Sequence, residues 1–433
     1  MKWVSIRRLD FEGRADIKER TICFGRKSLT SKVFKLTVKD KDFLFMSSDL
    51  IDTLCIKESL PYQVKVENNR IRIGPVIGLL LGRQCIYYNH KNMREQTDAL
   101  SQYEKTGGLF YAFTPEGIDY ENKLIYGLYF GHDKVWRYSH FPFPDVIFRR
   151  GFSGNELHVD KIRQKVCEVV FNQSRRNKWE IHQLLEKDGT VSPFLPETCE
   201  VQQTNVVLKH LKKYTIVILK PTDLSRGRGI FILREKNSKE IEVTDCLKKD
   251  NQITVIKWSE LDKFLRKGGF FRHHYIVQNR LDLATVNGSP FDIRVVMQKT
   301  KDHQWRCSGI ECRIAGMDHM ISNIARGGRA LSVNRTLLLA FGPDISFTRM
   351  KKQMIEVSEN ICRCMDHTGE LFAEFGLDIA VDREQHLWFI EANVRPSFKG
   401  FKRMDYKNYL YICSRPIIYA VHLAGFESDG DVK

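Results

Sequence analysis

A chain of 433 residues has room for two or three domains and a large buried core. Its 42% hydrophobic content is ordinary for a soluble globular protein, and its longest apolar run, Pro75 to Leu81, falls far short of the ~20 residues that span a bilayer. Lys and Arg outnumber Asp and Glu by 69 to 53, which calls for an anionic partner: a nucleotide, a polyanion, nucleic acid or a membrane surface.

No helix-turn-helix, zinc-finger or RNA-binding signature accompanies the charge, so nucleic acid is the weakest of these partners. The eleven cysteines are scattered from Cys23 to Cys413 without a C-x-x-C pair. That pattern fits a reducing compartment better than a disulfide framework or a zinc site. The first residues, MKWVSIRRLDFEGR, carry no apolar signal core, and the chain reads as soluble and cytoplasmic.

Residues 1–72 read as β-rich: WVSIRR, KVFKLTV, DFLFM and YQVKV are short strand-like runs separated by polar turns. From residue 73 the texture changes. GPVIGLLLG reads as a buried strand entering a glycine turn, and Asn89 to Lys105 as a polar helix. LFYAFTP, KLIYGLYF and FPFPDVIFRR follow as strands, which makes a small α/β domain with a parallel sheet over 73–155. A helix then starts at Asn177, an N-cap with Glu180 three residues on as in a capping box. Lys178 falls in its first turn and Gly189 marks its end.

In TIVILKPTDLSRGRGIFIL an apolar strand ends at Lys220-Pro221, and a loop with Ser225, Gly227 and Gly229 precedes a second strand. Loop glycines let backbone amides approach an anion, and a lysine at a strand end can meet phosphate oxygens. An ordinary hairpin with a basic loop would look the same. The Walker pattern is absent. YIVQNRLDL reads as a strand leading into a hinge, where Gln278 could present its amide to a heterocycle edge; a plain strand end is the alternative.

FDIRVVMQ and WRCSGIECRIA alternate as paired strands with one apolar face each. A turn over Lys301 to Gln304 sets Thr300 opposite Trp305, Arg294 opposite Glu311 and Asp292 opposite Arg313. Opposite charges then face each other, either around a substrate or as a solvated face of weak ion pairs. In GLDIAVDREQHLWFIEANVRPS, a turn at Arg383 to His386 pairs Asp382 with Leu387 and Asp378 with Glu391, and Glu391 shares a face with Asn393. Two carboxylates and an amide oxygen suit magnesium; without a cation the carboxylates should repel and raise a pKa. An acidic sheet surface is the bland alternative.

In this order the motifs resemble the ATP-grasp superfamily. More narrowly, GPVIGLL, GLFYAFTPEGID, FPFPDVIFRR, NKWEIHQLL, FDIRVVMQK and FIEANVRPS are similar to landmarks of the YheC/YheD family of endospore coat-associated proteins. The resemblance covers most of the chain after residue 72. It implies an ATP-grasp fold of the α/β (α+β) class over 156–425, preceded by the two regions above. Lys178 and Lys220 would contact ATP phosphates, with the Ser225 to Gly229 loop closing over them. Gln278 and Val277 would sit at the adenine hinge. Asp378, Glu391 and Asn393 would hold Mg2+, and Asp292, Arg294 and Arg313 would face the transferred phosphate or the acceptor. The implied activity is ligation of a carboxylate, activated as an acylphosphate, to an amine or thiol acceptor such as a peptide or cell-envelope component. The implied setting is sporulation or the spore coat. A non-catalytic, nucleotide-binding structural protein of the coat is the alternative.

Overall fold

The computed structural model describes residues 2–10, 19–32, 34–38, 41–67, 69–82, 85–152, 157–224, 228–246, 253–315 and 329–428. Four sheets organise the described residues. In the first, Tyr62–Glu67 pairs with Arg70–Gly74 in a hairpin and runs parallel to Lys2–Asp10. The expected strands are present, together with a helix over Ser48–Leu54 that begins where the Ser47 hydroxyl accepts from the Leu50 amide.

The second sheet has a parallel centre. Val76–Leu80 lies between Leu109–Phe113 and Val146–Arg149, and the latter pairs with Val170–Phe171, all parallel. Its far edge is antiparallel: Leu124–Phe130 and Trp136–Pro142 form a hairpin. The polar segment expected to be helical over Asn89–Lys105 is helical in three short pieces rather than one, a 3-10 turn at His90–Asn92 and α-helices at Arg94–Ala99 and Tyr103–Thr106. These two sheets share one apolar core, and that core also takes in Ile417, Tyr419, Val421 and Phe426 from the far end of the described chain.

The third sheet is antiparallel, with Ile216–Pro221 between Phe231–Glu235 and Tyr275–Asn279. The helix Thr204–Tyr214 buries Val207 and Leu211 against it. In the fourth sheet, Ser289–Lys299 lies between Trp305–Ile314 and Glu374–Val381, and Glu374–Val381 pairs onward with Leu387–Asn393. The twenty-residue helix Phe347–Asp366 covers one face with Met350, Met354, Val357 and Ile361.

The alternation in Ser289–Lys299 and Glu374–Val381 predicts one buried and one solvated face. Instead every residue of Glu374–Val381 is buried. The polar face is covered as well, by Phe401, Tyr409 and Ile412 of the helices Lys399–Met404 and Tyr406–Leu423, which pack on Val296. Charged groups on that face must therefore be paired, because an unpaired buried charge is costly. The two hairpin registers agree with the sequence at their charged positions: Asp292 with Arg313, Arg294 with Glu311, Asp378 with Glu391. Near the turns they differ by one residue, with Lys299 opposite Trp305 and Val381 opposite Leu387, because a bulge interrupts each ladder.

Candidate active site

Asn177 starts the helix Lys178–Leu185 as its sequence dictates. Its side chain accepts from the Trp179 and Glu180 amides at 2.9 Å each, and the Glu180 carboxylate accepts from the Asn177 amide at 2.9 Å. The helix ends at Leu185 with Glu186 as its cap, four residues before Gly189. The Lys178 amide donates to the Thr222 carbonyl at 3.1 Å. That bond ties the helix start to the segment just past Lys220.

The Lys178 ammonium donates to the Leu224 carbonyl and lies 3.7 Å from Oε2 of Glu391. Lys220 donates to Oε1 of Gln278 at 2.7 Å, and Nε2 of Gln278 donates to the Thr198 hydroxyl at 2.8 Å. Burial pushes the Lys220 pKa down to about 8, with the Lys178 charge acting in the same direction and Glu391 opposing. Burial also lowers Lys178, against the pull of Glu391. Lys178 has Glu391 and Asp223 as counter-charges, whereas Lys220 has Glu391 and meets a neutral amide, so Lys220 is the ammonium more open to an anionic guest.

Gln278 is buried and its amide is spent on Lys220 and Thr198, so its evident work is to orient the lysine rather than to meet a heterocycle. Val277 is fully buried in the core, with Leu219 and Cys199 opposite it on either side, and offers no side chain to a ligand. Of the glycine loop, Ser225 and Gly227 lie outside the described residues. Gly229 has φ +70°, and a Cβ there would meet the Tyr275 hydroxyl at 2.9 Å and Pro221 at 3.2 Å. Gly229 thus sits against the end of the strand that carries Lys220, a position only glycine fills without strain.

The charged patch of the fourth sheet is tightly knit. Arg294, 5% exposed, grips Asp378 with Nε to Oδ1 at 2.5 Å and Nη2 to Oδ2 at 3.0 Å. Arg313 reaches the same Oδ2 at 2.9 Å and also holds Asp292. Burial raises the Asp378 pKa, but Arg294 and then Arg313 outweigh it, so the carboxyl stays below its ordinary value. The upward shift expected from repulsion between paired carboxylates is therefore absent at Asp378. Asn393 donates to Oε1 of Glu391 at 3.0 Å and lies 3.5 Å from Oδ2 of Asp378. Asp378, Glu391 and Asn393 converge, with Asn393 turning its Nδ2 to the carboxylates; a half-turn of that amide would present its oxygen and complete a donor set of the kind magnesium takes.

Sequence reasoning paired Glu311 with Arg294 but left it out of the site. It is 1% exposed, its Oε2 has no hydrogen-bond partner among the described residues, and burial raises its pKa to about 7 against Arg294 and Arg313. A Cβ at Gly400 would lie 2.0 Å from that oxygen, so the helix Lys399–Met404 sits directly on the carboxyl. Thr198, which fixes Gln278, was also missed; the LPET run around it carries no signal beyond a linker. Together Lys178, Asn177, Thr222, Asp223, Glu391 and Asn393 line a cleft of about 220 Å³.

A family model described as YheC/D like ATP-grasp matches residues 168–423. "Endospore coat-associated protein YheD" of Bacillus subtilis (strain 168) is 24% identical over 82% of this chain and 79% of its own length. "Endospore coat-associated protein YheC" of the same organism is 26% identical over 70% of this chain and 85% of its own. Among solved structures, the chain is similar to an ADP complex of N5-carboxyaminoimidazole ribonucleotide synthetase: 10% identity, TM-score 0.48, covering 82% of this chain and 78% of that one. Among the described residues no helix is long and apolar enough to cross a membrane.

Proposed function

The chain belongs to the YheC/D-like ATP-grasp family, and from that premise we propose that it is an ATP- and magnesium-dependent ligase. In this reading a substrate carboxylate oxygen takes the terminal phosphoryl group of ATP and ADP leaves. An amine or thiol of the acceptor then attacks the acyl carbon, and inorganic phosphate departs. Lys178 and Lys220 bind the phosphate chain. Gln278 holds Lys220 in place, and the loop containing Ser225, Gly227 and Gly229 covers the phosphates. Asp378, Glu391 and Asn393 hold magnesium, which when bound neutralises charge on the phosphates. Arg294 and Arg313, set by Asp292 and Asp378, face the phosphoryl group or the acceptor carboxylate and oppose the charge that develops there.

The observation that carries this reading is the meeting of Lys178 with Glu391 and Asn393 on one cleft, where Lys178 lies 3.7 Å from Glu391 and Lys220 is near enough for both charges to bear on it. The division into 1–72, 73–155 and 156–425 belongs to the same proposal. So do a cytoplasmic location and a role in sporulation, the latter taken from the coat association in the relatives' names. One observation favours a second reading, a non-catalytic coat protein: Asp378 is already neutralised by two guanidinium groups and needs no cation to be stable. Calorimetry of ATP with and without magnesium, followed by ADP release with pools of amino acids, peptides and cell-wall precursors, separates the two. ATP binding that depends on magnesium, with ADP release in one pool, supports the ligase. Binding without turnover in any pool supports the structural protein.

A further inference from the structure

A second cavity, of about 170 Å³, lies between the second sheet and the segment that follows Asn393. Leu79, Ala99, Phe148, Phe398 and Ile417 make the apolar part of its wall, and Glu95, Gln96, Arg150, Glu374, Lys399 and Lys402 are among its polar groups. Drug-sized sites hold roughly 300–1,000 Å³, so this one has room for about one amino-acid residue.

Three features define its ligand. Gln96, on the helix Arg94–Ala99, is 9% exposed, lines the cavity, and its Oε1 has no hydrogen-bond partner among the described residues. A buried amide oxygen left so is open to an N–H or O–H donor, which a guest can supply. Arg150 also lines the cavity, bonded to the fully buried Glu374. Arg395 is close enough for the Arg150 charge to bear on it. Lys399, on the wall, makes no ion pair among the described residues. Glu374 counters Arg150 and Asp98 counters the wall residue Lys402, so Lys399 is the wall cation that an anion would meet. Glu95, also on the wall, makes no ion pair among the described residues, and its charge bears on Arg395.

An N–H donor, a carboxylate and a small apolar group on one molecule describe an amino acid or the terminal residue of a peptide. The cavity also adjoins the charged patch. Glu374, Gly376 and Asp378 share one strand face, so Glu374 and Asp378 are four residues, about 13 Å, apart. Between them a Cβ on Gly376 would strike both Pro396, a cavity wall, at 2.5 Å and the Arg294 side chain at 3.0 Å. We propose that this cavity binds the terminal residue of the acceptor: its carboxylate toward Arg150 and Lys399, its N–H on Gln96, its side chain against Phe148 and Phe398. This rests on the ligase reading for the word acceptor, though not for binding itself.

Saturation-transfer NMR on the full chain tests it with two mixtures. One holds the L-amino acids alanine, valine, leucine, isoleucine, methionine and phenylalanine; the other holds their primary amides. Binding of at least one acid, with the matching amide at least tenfold weaker, is expected. Gln96→Met should weaken the acid tenfold or more. If that variant does not fold, Lys399→Met, at an exposed position, should weaken the acid severalfold. Glycyl dipeptides with the same last residues separate the sources: tighter binding assigns a peptide end, weaker binding a free amino acid. Silence from acids and dipeptides alike, or equal binding of acids and amides, overturns the proposal. Magnesium-ATP titrated into the same sample keeps the two readings apart, since a bound amino acid without ATP binding would sink the ligase alone.

Discussion

Lys220 donates a 2.7 Å hydrogen bond to Oε1 of Gln278 on the neighbouring strand, so a part-buried ammonium is met by a neutral amide rather than a carboxylate. Burial holds its pKa at about 8, below the ordinary 10.5. A triphosphate placed against it would raise that value. Magnesium-ATP binding near pH 8.5 should therefore take up protons, and affinity should fall as pH rises through 8. Titrations in Tris and in HEPES, whose ionisation heats differ, should give different apparent enthalpies. Lys220→Met should remove most of the difference and weaken binding about tenfold or more. Equal heats in both buffers would place Lys220 away from the phosphates.

Arg294 and Asp378 are both nearly fully buried. Removing one partner of such a pair leaves an uncompensated charge, at a cost of roughly 3–5 kcal/mol. Arg294→Ala should lose about that much in urea unfolding, beyond any effect on turnover. Arg294→Met combined with Asp378→Met should recover most of the loss while remaining inactive. If the single variant unfolds like the parent, the pair contributes nothing to the fold.

Glu391→Gln should abolish turnover and leave the fold intact. Glu391 counters Lys178 and Lys220 more than it repels Asp378, which two arginines already neutralise. The apo melting temperature should thus stay level or drop by a few degrees, with no gain from relieved repulsion. The stabilisation by magnesium-ATP should shrink. A variant that releases ADP at the parent rate removes Glu391 from the metal set.

Glu311 has its pKa raised to about 7, from an ordinary 4.5, by burial. The folded state then binds more protons than the unfolded one between these values, so its cost is absent below pH 4.5, grows through the interval and is complete above pH 7. Glu311→Gln should match the parent near pH 4.5 and exceed its stability by up to roughly 3 kcal/mol above pH 7. Urea midpoints at pH 4.5, 6 and 7.5 measure this. A constant difference across the range would mean that Glu311 is ionised throughout.

What could be read beforehand was whatever local pattern decides. The Asn177 and Glu180 capping box is a four-residue code, and it forms in full. Charge pairing across the hairpins is equally local: Asp292 with Arg313, and Arg294 with Glu311, have to meet once the turn is set. The bulges that shift Trp305 and Leu387 by one position leave no mark on the alternation. Burial of the polar face was hidden for another reason. Asp378, Arg294 and Gln298 look solvated when read along one strand; it takes the helices Lys399–Met404 and Tyr406–Leu423, far along the sequence from Arg294 and Gln298, to cover them. The role of Gln278 was obscured in the same way, because its partners Lys220 and Thr198 come from two other strands.

The core shared by the first two sheets is finished by Ile417, Tyr419, Val421 and Phe426. On the ribosome, the segment ending at Phe171 emerges long before those residues. At about 5–20 residues per second, the wait is roughly ten to fifty seconds. During that time Phe148, Phe171 and their neighbours lack the helix that later covers them, and they present the kind of greasy surface that chaperones hold. Premature termination near residue 400 would leave that surface permanently open. Such fragments should be cleared by proteolysis rather than accumulate as a stable first half.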